Sequence, residues 1–151
     1  MKFLVRGALI AALYAALTII LEPISYGALQ CRISEALTLL PFIMPEAIPG
    51  LFVGCIVANF YGGFGIADIV FGSAATLLAA ICTRKFSWGN IYLAAVYPVI
   101  FNAIIIGTML NLVTDAPLIA TGIYVGLGEA AACFLIGIPL VKILKSRIII
   151  N

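Results

Sequence analysis

The chain has 151 residues, 65% of them hydrophobic and only 9% charged, with a formal net charge of +2. Soluble domains carry about 25% charged residues, so this composition excludes a water-soluble fold and marks an integral membrane protein. The few charges serve membrane topology, and no nucleic acid is expected as a partner.

Helix breakers and charges divide the chain into six apolar segments. The first covers residues 3–21 and stops at Glu22-Pro23. The second, 29–44, stops at Pro45-Glu46; the third, 49–61, at Tyr61-Gly62-Gly63. The fourth, 66–83, meets Arg84-Lys85, and the fifth, 91–113, precedes Thr114-Asp115-Ala116-Pro117. The sixth covers 118–144, before a basic tail. A bilayer-spanning helix needs about 20 residues, so these segments use nearly the whole chain. The runs are too evenly apolar for barrel strands, which alternate with period two. The expected fold is all-α, a single polytopic membrane domain of six transmembrane helices with short loops.

Lys and Arg in short loops mark the cytoplasmic face. Here they form three groups: Lys2 with Arg6, Arg84 with Lys85, and Lys142, Lys145 and Arg147. Four segments separate the first two groups and two separate the second from the third. Both counts are even, which puts all three groups on one side and both termini in the cytoplasm.

Small residues recur at helical spacing. Gly50, Gly54 and Ala58 form one such stripe, and Gly122, Gly126 and Ala130 another. Stripes of this kind let helix backbones approach closely in lipid, and internal packing accounts for both. The first segment is different, because Ala8, Ala12 and Ala16 run beside a second stripe, Ala11 and Ala15. Two stripes exceed what one internal contact needs, and a docking face for another protein is expected there.

The even topology places most polar residues in one leaflet. Gln30, Arg32, Ser34 and Glu35 open the second segment, Asn59 closes the third, and Asp68 opens the fourth, with Ser73 and Thr76 below it. Tyr124 and Glu129 enter from the outer end of the sixth, and Asn102 lies near mid-membrane. Ionisable groups in hydrocarbon are costly and usually face a bundle interior or cavity. Their common depth predicts one pocket open to the outside. Arg32 and Glu35, three apart, either neutralise each other along a helix or leave Glu35 for a ligand. Glu129 has no Lys or Arg nearby in sequence, so it needs a partner from another helix or from a ligand.

Catalysis has no foothold in this chain. There is no GxxxxGK[ST] loop for ATP, and the absence of histidine rules out Ser–His dyads and HExxH zinc sites. The four cysteines stand singly among apolar residues. No catalytic residue, metal or cofactor is expected.

Against this background QCRISEALTLLP (30–41), GLFVGCIVAN (50–59) and ADIVFGSAATLLAA (67–80) resemble the QueT family of queuosine-precursor importers. These are similar to substrate-binding components of energy-coupling-factor (ECF) transporters. The resemblance implies a multi-pass protein of the bacterial plasma membrane. It implies capture of a 7-deazaguanine outside, such as the 7-aminomethyl form or queuine, and docking onto a coupling transmembrane protein with two ATPase subunits. It also implies that the alanine face of the first helix is the docking surface.

The residues suit such a ligand on their own chemistry. A guanine-like edge offers adjacent N–H donors that one carboxylate accepts in parallel, and an aminomethyl cation wants a second carboxylate. Glu35, Asp68 and Glu129 can fill those roles, Asn59 and Asn102 the amide roles, and Tyr124 or Tyr61 an aromatic lid. The same pattern also suits a binding component for another vitamin-like molecule, or a small carrier driven by an ion gradient through Glu129 or Asp68.

Overall fold

The structure is a computed structural model describing residues 1–25, 32–62 and 64–150, without the side chains of Ile24 and 148–150. Among the described residues every element is helical. In order they are α1 (Lys2–Ile20), the one-turn α2 (Glu22–Ser25), a 3-10 helix (Ile33–Phe42), α3 (Ala47–Tyr61), α4 (Gly65–Phe86) and α5 (Ile91–Thr114). They continue with α6 (Leu118–Ala130), a π-helical stretch (Ala131–Gly137) and α7 (Ile138–Ile150). Among the described residues four stretches are long and apolar enough to cross a membrane: Lys2–Ile20, Gly65–Phe86, Ile91–Thr114 and Leu118–Arg147. Ile33–Phe42 and Ala47–Tyr61 are shorter apolar helices.

The second segment departs most from expectation. Instead of an α-helix over 29–44, its described part winds as a 3-10 helix of 10 residues with Pro41 inside. Proline has no N–H to give and its ring strikes the carbonyl four residues back in an α-helix; the tighter 3-10 winding avoids that register. Thr38 adds to the bias, its hydroxyl donating to the Glu35 carbonyl at 2.5 Å. All side chains from Ser34 to Pro41 are buried. This helix is the axis of the molecule, packed against α1, α3, α4, α5, the π stretch and α7.

The sixth segment runs further than 118–144, as one continuous helix to Ile150. Pro139 explains its π-helical interruption. The ring would meet the Leu135 carbonyl in a regular α-helix, and the wider turn before it makes room. Gly137 brings this stretch onto the 3-10 helix, since a Cβ there would lie 2.9 Å from the Ala36 carbonyl oxygen.

Small residues set the other close approaches. A Cβ on Gly50 would stand 2.5 Å from the Gly7 carbonyl oxygen, and one on Gly54 2.7 Å from that of Ala11. α1 and α3 therefore touch backbone to backbone. A Cβ on Gly107 would lie 2.9 Å from the Cα of Gly122, which brings α5 and α6 equally close.

The three basic groups meet at one end. Arg6 pairs with Glu46 at 2.9 Å, and Arg84 Nη1 donates to the carbonyls of Pro41 and Phe42 at 3.4 and 3.3 Å. Lys145 stands 5.6 Å above the Phe42 ring, and Lys142 donates to Tyr92 Oη at 3.3 Å. The backbone N–H of Glu46 and the Arg6 guanidinium hold the Glu46 carboxyl below its ordinary range.

Pro98 in α5 leaves the Ala94 carbonyl without its helical N–H. The buried Thr83 hydroxyl of α4 supplies a donor to that carbonyl at 3.1 Å. Thr83→Val removes the donor and keeps the shape. Thermal unfolding in detergent is expected to show a loss of about 1–2 kcal/mol, largely restored by Thr83→Ser.

Candidate functional site

Arg32 ends in the first of two linked polar groups. It precedes the 3-10 helix with extended backbone (φ −85, ψ 103), so its side chain leaves the helix axis and reaches across to α4. Its Nη2 donates to both carboxylate oxygens of Asp68, at 3.0 and 3.2 Å. Its Nη1 donates to Asn59 Oδ1 at 2.9 Å. Asn59 Nδ2 in turn donates to the Asp68 carbonyl at 2.8 Å and to Cys55 Sγ at 3.4 Å. Gly72 keeps room for this amide, because a Cβ at that position would collide with Asn59 Nδ2. Arg32 thus forms its ion pair across the bundle with Asp68, while its charge also acts on Glu35. The guanidinium goes to Asp68, because Arg32 lies outside the helix that carries Glu35.

Glu35 belongs to the second group. Tyr14 Oη donates to Glu35 Oε1 and also reaches Cys55 Sγ at 3.6 Å, which joins the two groups. Thr76 Oγ1 donates to the same sulfur at 3.4 Å. On the far side Cys133 Sγ lies 3.7 Å from the Glu35 carbonyl and 3.9 Å from Glu129 Oε1. Asn102 Nδ2 donates to Glu129 Oε1 at 3.2 Å and to the Pro98 carbonyl at 3.1 Å. The Thr18 and Ser34 hydroxyls, 2.6 Å apart, fasten α1 to the start of the 3-10 helix beside this group.

The network therefore draws a side chain from α1, the 3-10 helix, α3, α4, α5, α6 and the π stretch. Arg32, Glu35, Asn59, Asp68, Asn102 and Glu129 are all buried within it. Tyr124 is not among them: it is 50% exposed on α6. Tyr61 is also exposed and packs edge-on against Phe60. Gln30 and Cys31 lie outside the described residues.

Sequence reasoning passed over Tyr14, Cys55 and Cys133 as members of the site. Tyr14 lay hidden among the alanines of α1, although a tyrosine buried in hydrocarbon always needs a partner for its hydroxyl. Cys133 lies one helical turn after Glu129, a spacing that puts both side chains on one face.

The two alanine stripes face different neighbours. Ala15 is buried and Ala11 lies against Gly54 of α3. Ala8, Ala12 and Ala16 are exposed along the outer side of α1. Beside Ala8 and Ala11 runs an apolar groove of about 250 Å³, lined also by Phe3, Leu4, Pro49 and Val53.

Fold and site together define a multi-pass helical membrane protein with a buried polar network. The QueT transporter family matches residues 4–146. A relative from Lactococcus lactis subsp. cremoris (strain MG1363), named "Queuosine precursor transporter QueT", is 32% identical over 146 residues, covering 87% of this chain and 86% of its own length. The chain belongs to the QueT transporter family, and a bacterial membrane is its setting. No solved structure matches it.

Breaking a buried ion pair from one side strands the other charge. Asp68→Asn is expected to destabilise the protein by about 3–5 kcal/mol, read from thermal unfolding in detergent. The double variant Arg32→Met with Asp68→Leu should recover most of that loss. Equal instability of single and double variants would mean that the pair contributes through its hydrogen bonds to Asn59 instead.

Proposed function

We propose that this chain is the substrate-binding membrane subunit of an ECF-type importer. It captures a queuosine precursor, a 7-deazaguanine such as the 7-aminomethyl form, from outside the cell. A coupling membrane protein and two ATPases then drive the inward step, since the chain has no nucleotide loop of its own. In this reading the chain is one domain crossing the bilayer six times, with the basic end and both termini in the cytoplasm. The QueT family match and the name of the relative support the precursor as cargo.

The observation that carries the reading is the pair of buried carboxyls, Glu35 and Glu129, with Asn102 beside them. Asp68 is engaged by Arg32, which leaves the two glutamates as the acceptors for a donor-rich heterocycle. A carboxylate accepting two parallel N–H groups from a guanine-like edge makes charge-assisted bonds, roughly twice as strong as neutral ones. The exposed row of Ala8, Ala12 and Ala16, with the groove beside it, suits close packing of a partner helix.

Glu35→Gln and Glu129→Gln each keep the shape of the side chain but place a donor against the ligand's own N–H groups. Each is expected to cost about 1.5–3 kcal/mol of binding, roughly 10- to 150-fold in affinity. Calorimetric titration with 7-aminomethyl-7-deazaguanine measures this, beside a ligand-free melting curve. If neither change weakens binding by even about threefold, the two carboxyls are not the site.

Replacing Ala12 and Ala16 together by Leu pushes a partner helix away from α1. Binding by the isolated subunit should survive while uptake into cells fails. Loss of binding with normal assembly would mean that this row serves internal packing.

A further inference from the structure

Two acidic side chains are buried in the second polar group, Glu35 at 1% exposure and Glu129 at 3%. Each has one oxygen held by a neutral donor. Tyr14 Oη–H serves Glu35 Oε1, and Asn102 Nδ2 serves Glu129 Oε1 at 3.2 Å. The Glu35 carboxyl faces the Glu129 carboxyl and the Thr76 hydroxyl. Its second oxygen, Oε2, is fully buried and accepts no hydrogen bond of proper geometry.

The groups around the pair set its charge. α1 contributes the Tyr14 hydroxyl, α3 the Cys55 thiol, the π stretch the Cys133 thiol and α5 the Asn102 amide. The charge that acts on Glu35 is the Arg32 guanidinium, which is also joined to Asp68 at 3.0 Å. Two carboxylates side by side in a medium of low dielectric do not both ionise, and their titration belongs to the pair and not to either residue.

We infer that Glu35 and Glu129 hold a single proton between them in the empty site, and that a ligand's cationic amine displaces it. The inference rests on the reading above and narrows it to a precursor carrying an amine, in preference to the neutral nitrile. No covalent bond changes in this step. A protonated carboxyl beside a carboxylate, with a net charge of −1, receives an ammonium group and releases one proton to water. The product is two carboxylates flanking one cation, again at −1. The bare Oε2 of Glu35 is the acceptor that receives an ammonium N–H. The neutral nitrile brings no charge and leaves the proton in place.

The shared proton is visible without any ligand. Infrared spectra of the purified protein at neutral pH should contain the carbonyl stretch of a protonated, buried carboxyl, shifted in heavy water. Glu35→Gln and Glu129→Gln should each abolish the band, because the one carboxyl left keeps the charge. Either variant suffices if the other fails to fold. Titration with 7-aminomethyl-7-deazaguanine in two buffers of different ionisation enthalpy should then report the release of about one proton per ligand. Its affinity should rise about tenfold per pH unit while the pair remains protonated. 7-Cyano-7-deazaguanine should release none. Absence of the band in the unsubstituted protein, its survival in both variants, or buffer-independent binding of the aminomethyl form overturns the inference. If the band behaves as expected while neither compound binds, the shared proton stands and the precursor reading falls.

Discussion

A charge in hydrocarbon must bring its partner with it, and the ion pair between Arg32 and Asp68 organises the protein around that requirement. Arg32 sits at the head of the 3-10 helix and Asp68 in the first turn of α4. Their union fixes where the central helix begins relative to its wall. Asn59 completes the arrangement by bonding both partners, which ties in the end of α3. From there the hydrogen bonds continue through Cys55 to Tyr14 and Glu35. Asn102 and Glu129 close the far side. The polar groups of different helices satisfy one another, and the demand for partners becomes a means of positioning.

α1 has a double task in this scheme. One side lies against α3 through Gly7 and Ala11, so closely that no side chain fits between the backbones at Gly50 and Gly54. The same side carries Tyr14 to Glu35 and Thr18 to Ser34. The other side shows Ala8, Ala12 and Ala16 to the surroundings. Anything that packs against those alanines presses on the helix that holds the Glu35 carboxyl in place.

The apolar segments and the turns between them were legible because glycine, proline and charge interrupt hydrocarbon so visibly. Depth along each helix also drew attention to Arg32, Asn59, Asp68, Asn102 and Glu129, since polar residues gathered in one leaflet are conspicuous against leucine and alanine. The pairings were not legible. Arg32 has Glu35 three residues away and Asp68 thirty-six away, and only the fold decides between them. The 3-10 and π windings escaped for a related reason. Pro41 and Pro139 announce that a regular α-helix is strained, but not whether the chain will tighten, widen or break. Tyr14 escaped because its neighbours gave α1 another explanation.

The short α3 has a consequence for the surrounding lipid. Its 15 residues rise about 22 Å, against a hydrocarbon thickness of about 30 Å. The 24 residues of α5 rise about 36 Å. The apolar surface of the molecule is thus lopsided, short where Val53, Val57 and Phe60 of α3 are exposed and tall on the side of α5. A bilayer that matches so short an apolar face thins at a cost of fractions of a kcal/mol per Å. Val53 and the exposed alanines of α1 border the same flank. Covering so short a face with protein removes its mismatch with lipid.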